Sequence, residues 1–276
     1  MTGKNAKVTY LDSTVGPTMA DLLVAYLDQL GIEYVFGVPG GAIEPLYNAL
    51  ARSERRGDVR AVVARHETGA AFMADGYARN SGKLGVCCST TGPGATNMIT
   101  GVASAYENNV PMLVITAQTA IATFGKGAIQ DSSCTGVNTV GLYTHCTRYN
   151  TLISHINQFE HKLAAAIMSA MGSPAGPAHI SVPRDVMAMP TLDERVNYQL
   201  NTLLDRPALI ALKWSMTPWV TMPVTCCSRQ WLTEFYTVCG KVILSPVSGV
   251  MNSPLCWKIF SIWKLLPVSR IKFVAR

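Results

Sequence analysis

The sequence has no run of eighteen apolar residues, so it offers no helix able to span a bilayer. Charged residues are scarce, at 14% of the 276, while 49% are apolar. That balance excludes a disordered chain and sets aside enough apolar surface for a sizeable core. The eight cysteines show no C-x-x-C and no repeated spacing, and Cys87-Cys88 and Cys226-Cys227 are adjacent pairs. A zinc site or a secreted disulfide framework is therefore not expected, and a cytoplasmic protein with reduced thiols is. Met1 to Val8 is polar and basic and lacks the apolar stretch of a secretory signal. After Gly92-x-Gly94 no third glycine stands at the offset of a dinucleotide fingerprint, which makes a nicotinamide site of that kind a poor fit. His145, His155, His161 and His179 show no ligand spacing, and no metal site is assigned to the chain. The net charge of +6 says little about partners, because from Asp205 onward nine Lys/Arg face two acids, while 14 face 15 before it. Neither nucleic acid nor a membrane is expected as a partner.

What is present is a repeated order of strand, special turn and helix. Pro17-Thr18 opens a helix whose Met19, Leu22, Leu23, Tyr26, Leu27 and Leu30 keep a 3.6-residue period up to Gly31. Ile32–Val38 reads as a buried strand that breaks at Pro39-Gly40-Gly41, and Ala42–Ala51 as a helix. Val59–Ala64 reads as another buried strand, followed by a helix that carries Glu67 in its first turn and stops near Asn80-Ser81-Gly82. Leu84–Ser89 is a third strand, running into Thr90–Asn97 and a helix to about Glu107; Pro111–Ala117 is a fourth. Residues 118–147 are polar and without period, a length of loop that usually carries function. Asn157–Met171 predicts a helix and Pro177–Val182 a last short strand. The pattern specifies an α/β fold: an open parallel sheet with helices on both faces, built from right-handed βαβ units.

Three successive strands thus end in Pro39-Gly40-Gly41, in Glu67 and in Gly92-Pro93-Gly94. Parallel strands put those ends along one edge, where open α/β sheets bind ligands. Taken singly, each has an ordinary explanation. The glycine turns serve tight strand-to-helix connections, Glu67 suits a helix dipole, and His66 is a structural hydrogen-bonding group.

Together they resemble the pyrimidine-binding domain of thiamine diphosphate enzymes, and most closely the acetolactate synthase large subunit. The matching pieces are Phe36-Gly37-Val38-Pro39-Gly40-Gly41-Ala42, Arg65-His66-Glu67 with Ala74-Asp75-Gly76-Tyr77-Ala78-Arg79, Thr91–Asn97, Pro111–Ile115 and Gly176–Val186. The resemblance covers residues 17 to about 190. It implies that Glu67 hydrogen-bonds the cofactor's aminopyrimidine and promotes loss of the thiazolium C2 proton, and that burial would raise its pKa for this task. A 2-keto acid such as pyruvate then loses carbon dioxide, and the remaining carbon unit joins a second keto acid. By the same matching, Pro39, Gly40, Pro93 and Asn97 line the pyrimidine pocket. Ile129, Gln130 and Arg148 face the substrate, and Gln130 lies near the reacting carbons. Val38 stands where many relatives have tyrosine, Ile129 where they have phenylalanine, and Arg148 where they have lysine, a change that keeps charge but alters geometry.

The resemblance also implies what these residues do not supply. Relatives hold the diphosphate and its magnesium ion through a separate domain with a Gly-Asp-Gly motif, and FAD mostly through a central domain; no Gly-Asp-Gly occurs in the 276 residues. The expected organisation is a leader over 1–16, the pyrimidine domain over 17–185, a linker with the start of a central domain over 186–212, and an aberrant tail over 213–276. All five tryptophans but only two of the 22 glycines follow residue 210, which suggests a reading frame that slips near Lys213 or a divergent extension. The expected function is an acetolactate synthase-like carboligase or decarboxylase, in an incomplete chain that is inactive alone. The alternatives are a pyrimidine-domain subunit of a split 2-keto acid decarboxylase and a non-catalytic dimerising relic. The expected partners are keto acids and a second chain: another copy, an intact paralogue or a separate diphosphate-domain subunit.

Overall fold

The computed structural model describes residues 16–191 and 196–204. The expected leader, apart from Gly16, and the expected tail lie outside these residues. Six strands run parallel: β1 (Tyr34–Gly37), β2 (Arg60–Val63), β3 (Gly85–Ser89), β4 (Met112–Gln118), β5 (Tyr149–Leu152) and β6 (Pro177–Pro183). Their order across the sheet is β2-β1-β3-β4-β6-β5. One face is covered by α1 (Met19–Gln29), α2 (Glu44–Arg55), α6 (Phe159–Met171) and the short α7 (Arg184–Ala188) and α8 (Leu200–Leu204). The other is covered by α3 (Glu67–Ser81), α4 (Pro93–Glu107) and α5 (Thr139–Tyr143). This is the open parallel α/β sheet that the sequence pattern specifies.

Side chains alternate along the strands as a two-sided core requires. Val86, Cys88, Leu113 and Ile115 join the α1 side, while Cys87, Met112 and Val114 join the α3 side. The central strands β3, β4 and β6 are buried along their whole length. The apolar run Val59–Ala64 predicts a strand buried in the same way. Instead β2 forms an edge of the sheet, with Val63 62% exposed, because it pairs only with β1. At the opposite edge, Tyr149–Leu152 forms a strand that its polar, aperiodic sequence does not predict. The long polar segment after β4 contains a 3₁₀ turn at Ile121–Thr123 and the single-turn α5. Within the stretch expected as linker, Val186, Met187, Val196 and Leu200 are buried against this domain, and the Leu200 amide donates to the Gln29 side chain.

Close packing on the α3 side depends on small residues. Ala70, Ala71, Ala74 and Ala78 present methyl groups only, and Gly85 lets the α3 backbone approach β3. A methyl group on Gly85 would run into the Ala74 carbonyl oxygen. Neither a strand nor a helix backbone yields easily, so Gly85→Ala is expected to destabilise the domain by about 1–3 kcal/mol, measured by chemical denaturation.

The polar centre of the same side is His179, which is wholly buried and stacked on Tyr143 at 4.1 Å between ring centres. The Asn150 amide nitrogen donates to the Val140 carbonyl, so its Oδ1 accepts from His179 Nδ1–H at 2.6 Å. Nε2 is then the acceptor for the Thr116 hydroxyl at 2.8 Å. Tyr143 in turn donates its hydroxyl to the Ala95 carbonyl in α4, at 2.6 Å. Burial lowers the His179 pKa from its ordinary 6.5 to about 3, so the ring is neutral.

The unfolded chain therefore binds more protons than the folded one between those values. The stability contributed by neutral His179 is complete above pH 6.5 and declines as pH falls toward 3, by at most about 1.4 kcal/mol per pH unit. For Asp21, burial alone would raise the pKa, but hydrogen bonds from Arg52 and Thr18 hold it below its ordinary 3.8, so its contribution is lost only in stronger acid. Urea titrations between about pH 6.5 and 4.5 should show falling stability in the native chain and a flatter profile in His179→Gln.

Candidate functional site

The sheet order fixes where a ligand can enter. From β1 the chain leaves by α2 on one face, and from its neighbour β3 it leaves by α4 on the other. The crevice at the carboxyl ends of β1 and β3 is the topological switch point of the fold. Register aligns these ends, with Gly37 beside both Val63 and Cys88. The three turns beyond them therefore converge.

Each turn has a local cause. β3 gives way to α4 at Gly92, whose φ of +63° and ψ of −117° suit glycine, and Pro93 occupies the first helical position. β2 gives way to α3 at His66, whose extended backbone and Nδ1 cap the helix by accepting from the Thr68 amide. Glu67 follows in the first turn, where the helix dipole favours a carboxylate. The helix starts of α3 and α4 are tied together twice. Asn97 Nδ2 donates to Glu67 Oε2 at 3.0 Å, and the Thr68 hydroxyl donates to the Asn97 carbonyl.

The other carboxylate oxygen, Oε1, faces the bare Cα of Gly94: a methyl group there would stand 3.3 Å from it. That methyl would also meet Thr90 Cγ2 at 2.9 Å, and one on Gly40 would meet Thr90 Cβ at 2.7 Å. Thr90 is thus wedged between the two glycine turns. On the inner side of the crevice the Cys88 thiol donates to the Tyr47 hydroxyl at 3.8 Å. Burial, the neighbouring Cys88 and the Glu67 charge all push the Tyr47 phenol up. Burial pushes the Cys88 thiol up to about 12 against the opposing hydrogen bond to Tyr47, so both groups are neutral. Glu67 itself is half-buried, while Pro39 and Pro93 are exposed at the rim.

Gln130 lies beside the third turn. Its φ is +59°, and a methyl group on Gly92 would stand 3.0 Å from its Cβ. Ile129 next to it is 86% exposed. The structure therefore gathers Pro39, Gly40, Glu67, Pro93, Asn97, Ile129 and Gln130 at the carboxyl edge of the sheet.

Arg148 is not brought to this edge. Its backbone N–H donates to the Pro177 carbonyl at the start of β6, and its guanidinium donates to Asn109 Oδ1 at 2.9 Å and lies 4.1 Å over the Tyr106 ring. A residue just before a parallel strand must sit at the amino edge, and β6 spans about 20 Å between the two edges. Matching by motif could not register this, because the strand that fixes Arg148 gives no periodic signal. Residues not anticipated from sequence are Tyr47, Thr90 and the buried group Thr91, Gln118 and Ser132. Apart from the adjacent Thr90 and Thr91, they lie on separate segments of the chain.

The site offers a ligand the carboxylate oxygen that Asn97 does not engage. A half-buried carboxylate with one oxygen engaged by Asn97 suits a ring nitrogen that shares a proton. The absent side chains of Gly40 and Gly94 let both turns close on Thr90 beside this carboxylate. Residues 17–138 match the family model described as thiamine pyrophosphate enzyme, N-terminal TPP binding domain. The chain is 39% identical to acetolactate synthase isozyme 1 large subunit of Escherichia coli K12 over 169 residues, covering 61% of this chain and 29% of that protein. It is 40% identical to the acetolactate synthase large subunit of Lactococcus lactis over 170 residues, covering 62% and 28%. With the mitochondrial acetolactate synthase catalytic subunit of Saccharomyces cerevisiae it shares 34% identity over 200 residues, covering 70% and 28%. The chain thus spans under a third of the length of these relatives. Residues 17–138, under half of the chain, are thus similar to the N-terminal TPP binding domain of thiamine pyrophosphate enzymes.

Proposed function

We propose that this chain supplies the pyrimidine side of a thiamine diphosphate site that decarboxylates pyruvate and joins the product to a second 2-keto acid. The observation that carries the reading is the half-buried Glu67 carboxylate at the switch-point edge, oriented by Asn97. In such a site the cofactor, when bound, supplies a stabilised carbanion equivalent for decarboxylation and carboligation. Glu67 holds a proton at the oxygen facing Gly94, and Asn97 fixes the rotamer of the carboxylate. Pro39 and Pro93 wall the ring, and Gly40 and Gly94 let the two turns close on Thr90. Gln130 and Ile129 face the keto acids from the following loop. Arg148, set at the opposite edge, has no direct part in this half-site.

The diphosphate and its magnesium ion are held by groups other than these, on a Gly-Asp-Gly-bearing domain that these 276 residues do not contain. On this reading the complete site pairs these residues with a diphosphate-binding domain, and the 276 residues alone turn over no pyruvate. The test is complementation. The chain is mixed with an acetolactate synthase lacking its own N-terminal domain, together with thiamine diphosphate, magnesium and pyruvate. Acetolactate should form only in the mixture and fall by about a hundredfold or more with Glu67→Gln. Full activity of the Gln variant would remove Glu67 from the chemistry, and acetolactate from the chain alone would refute the half-site reading.

A further inference from the structure

We infer that Gln118 and Ser132 are positioning residues that, with Thr91, latch the Gln130 loop to the glycine turn after β3 and hold Gln130 toward the site. The inference rests on the reading of Gln130 as a substrate-facing residue. Gln130 has φ +59°, a left-handed backbone that a residue other than glycine keeps only where its surroundings enforce it. Its carbonyl accepts from the Thr91 hydroxyl at 2.9 Å. Thr91, Gln118 and Ser132 are 2%, 1% and 1% exposed and close a triangle. The Thr91 and Ser132 hydroxyls lie 2.7 Å apart, Ser132 Oγ donates to Gln118 Oε1 at 3.1 Å, and Gln118 Nε2 donates back to the Ser132 carbonyl at 2.9 Å. The Gly92 amide also donates to Ser132 Oγ, at 3.2 Å.

The end of β4, the turn after β3 and the loop two residues past Gln130 therefore share one buried polar group in which every member is partnered. Such groups are costly to leave half-satisfied, so they fix one arrangement. The outer part of the loop is tied to the same point. Asp131, adjacent to Gln130, accepts from the Gly125 and Ser133 amides at 2.8 and 2.9 Å. Ile129 and Gln130, just before the latch residue Ser132, are both exposed.

The test uses the full chain with Ser132→Ala, Gln118→Met and, as control, Gln130→Ala, which keeps the carbonyl that Thr91 engages. Hydrogen exchange at the Gly92, Gly125, Asp131 and Ser133 amides, and tryptic cleavage at exposed Lys126, need no cofactor. Both should accelerate by about fivefold to thirtyfold in the latch variants, with exchange in β6 and α6 unchanged, and neither should change in Gln130→Ala. In the complementation assay with pyruvate, Ser132→Ala should raise KM in the same direction as Gln130→Ala, and adding it to Gln130→Ala should give little further loss. Unchanged loop exchange in both latch variants would overturn the inference. So would kinetic losses that simply add in the double variant. Loosened loops together with a kinetically silent Gln130→Ala would instead reject the role given to Gln130 and leave the latch standing.

Discussion

A parallel sheet has direction, and every feature of the site follows from that constraint. Because all six strands point the same way, every turn that leaves a strand lies at one edge and every turn that enters one lies at the other. Three turns distant in sequence, at Pro39, Glu67 and Pro93, are brought together with no interaction of their own required. The switch between β1 and β3 then parts the helices to opposite faces and opens the crevice that the turns line. The same rule sends Arg148 to the far edge, since it precedes a strand.

Within the crevice, neutral groups surround the one carboxylate. Glu67 has no cation beside it among its described partners; it is oriented by Asn97 and bordered by the neutral Tyr47–Cys88 pair. Among the described residues the carboxylate is thus held by an amide and not by an ion pair. The two helix starts that carry Glu67 and Asn97 are cross-tied to each other, and α4 is further fixed by the Tyr143 hydroxyl on the Ala95 carbonyl. The stacked, buried His179 stands behind Tyr143. The carboxylate is therefore referenced to the sheet core through rigid elements, not through a flexible loop.

The fold was legible in the sequence where strands are buried on both faces and bounded by Gly or Pro, as in β1, β3, β4 and β6. It was less legible at the sheet margins. An edge strand such as β2 is as apolar as a central one, and nothing local tells which neighbours it will have. The four residues of β5 are polar on average and take strand form because the β6 edge is there to pair with. Glu67 and the glycine turns stood out because strand ends are marked by their own residue types. The Thr91, Gln118 and Ser132 triangle did not, since hydroxyls and amides scattered over three elements carry no periodicity. Arg148 shows the limit of motif matching: its neighbours in sequence are informative, but its edge is set by a strand that begins after it.

Thr90 has a consequence for how this site can change over generations. Its side chain fills the space that any Cβ at Gly40 or Gly94 would need, so the three positions are not independent. A larger residue at either glycine is tolerable only after Thr90 has shrunk, and a shrunken Thr90 leaves an unfilled gap while both glycines remain. The first step in each order is therefore unfavourable, and drift at these positions is confined to correlated pairs. Two glycines and a threonine from separate turns behave as a single heritable unit, and that interlock guards the opening onto Glu67 more firmly than the needs of any one turn would.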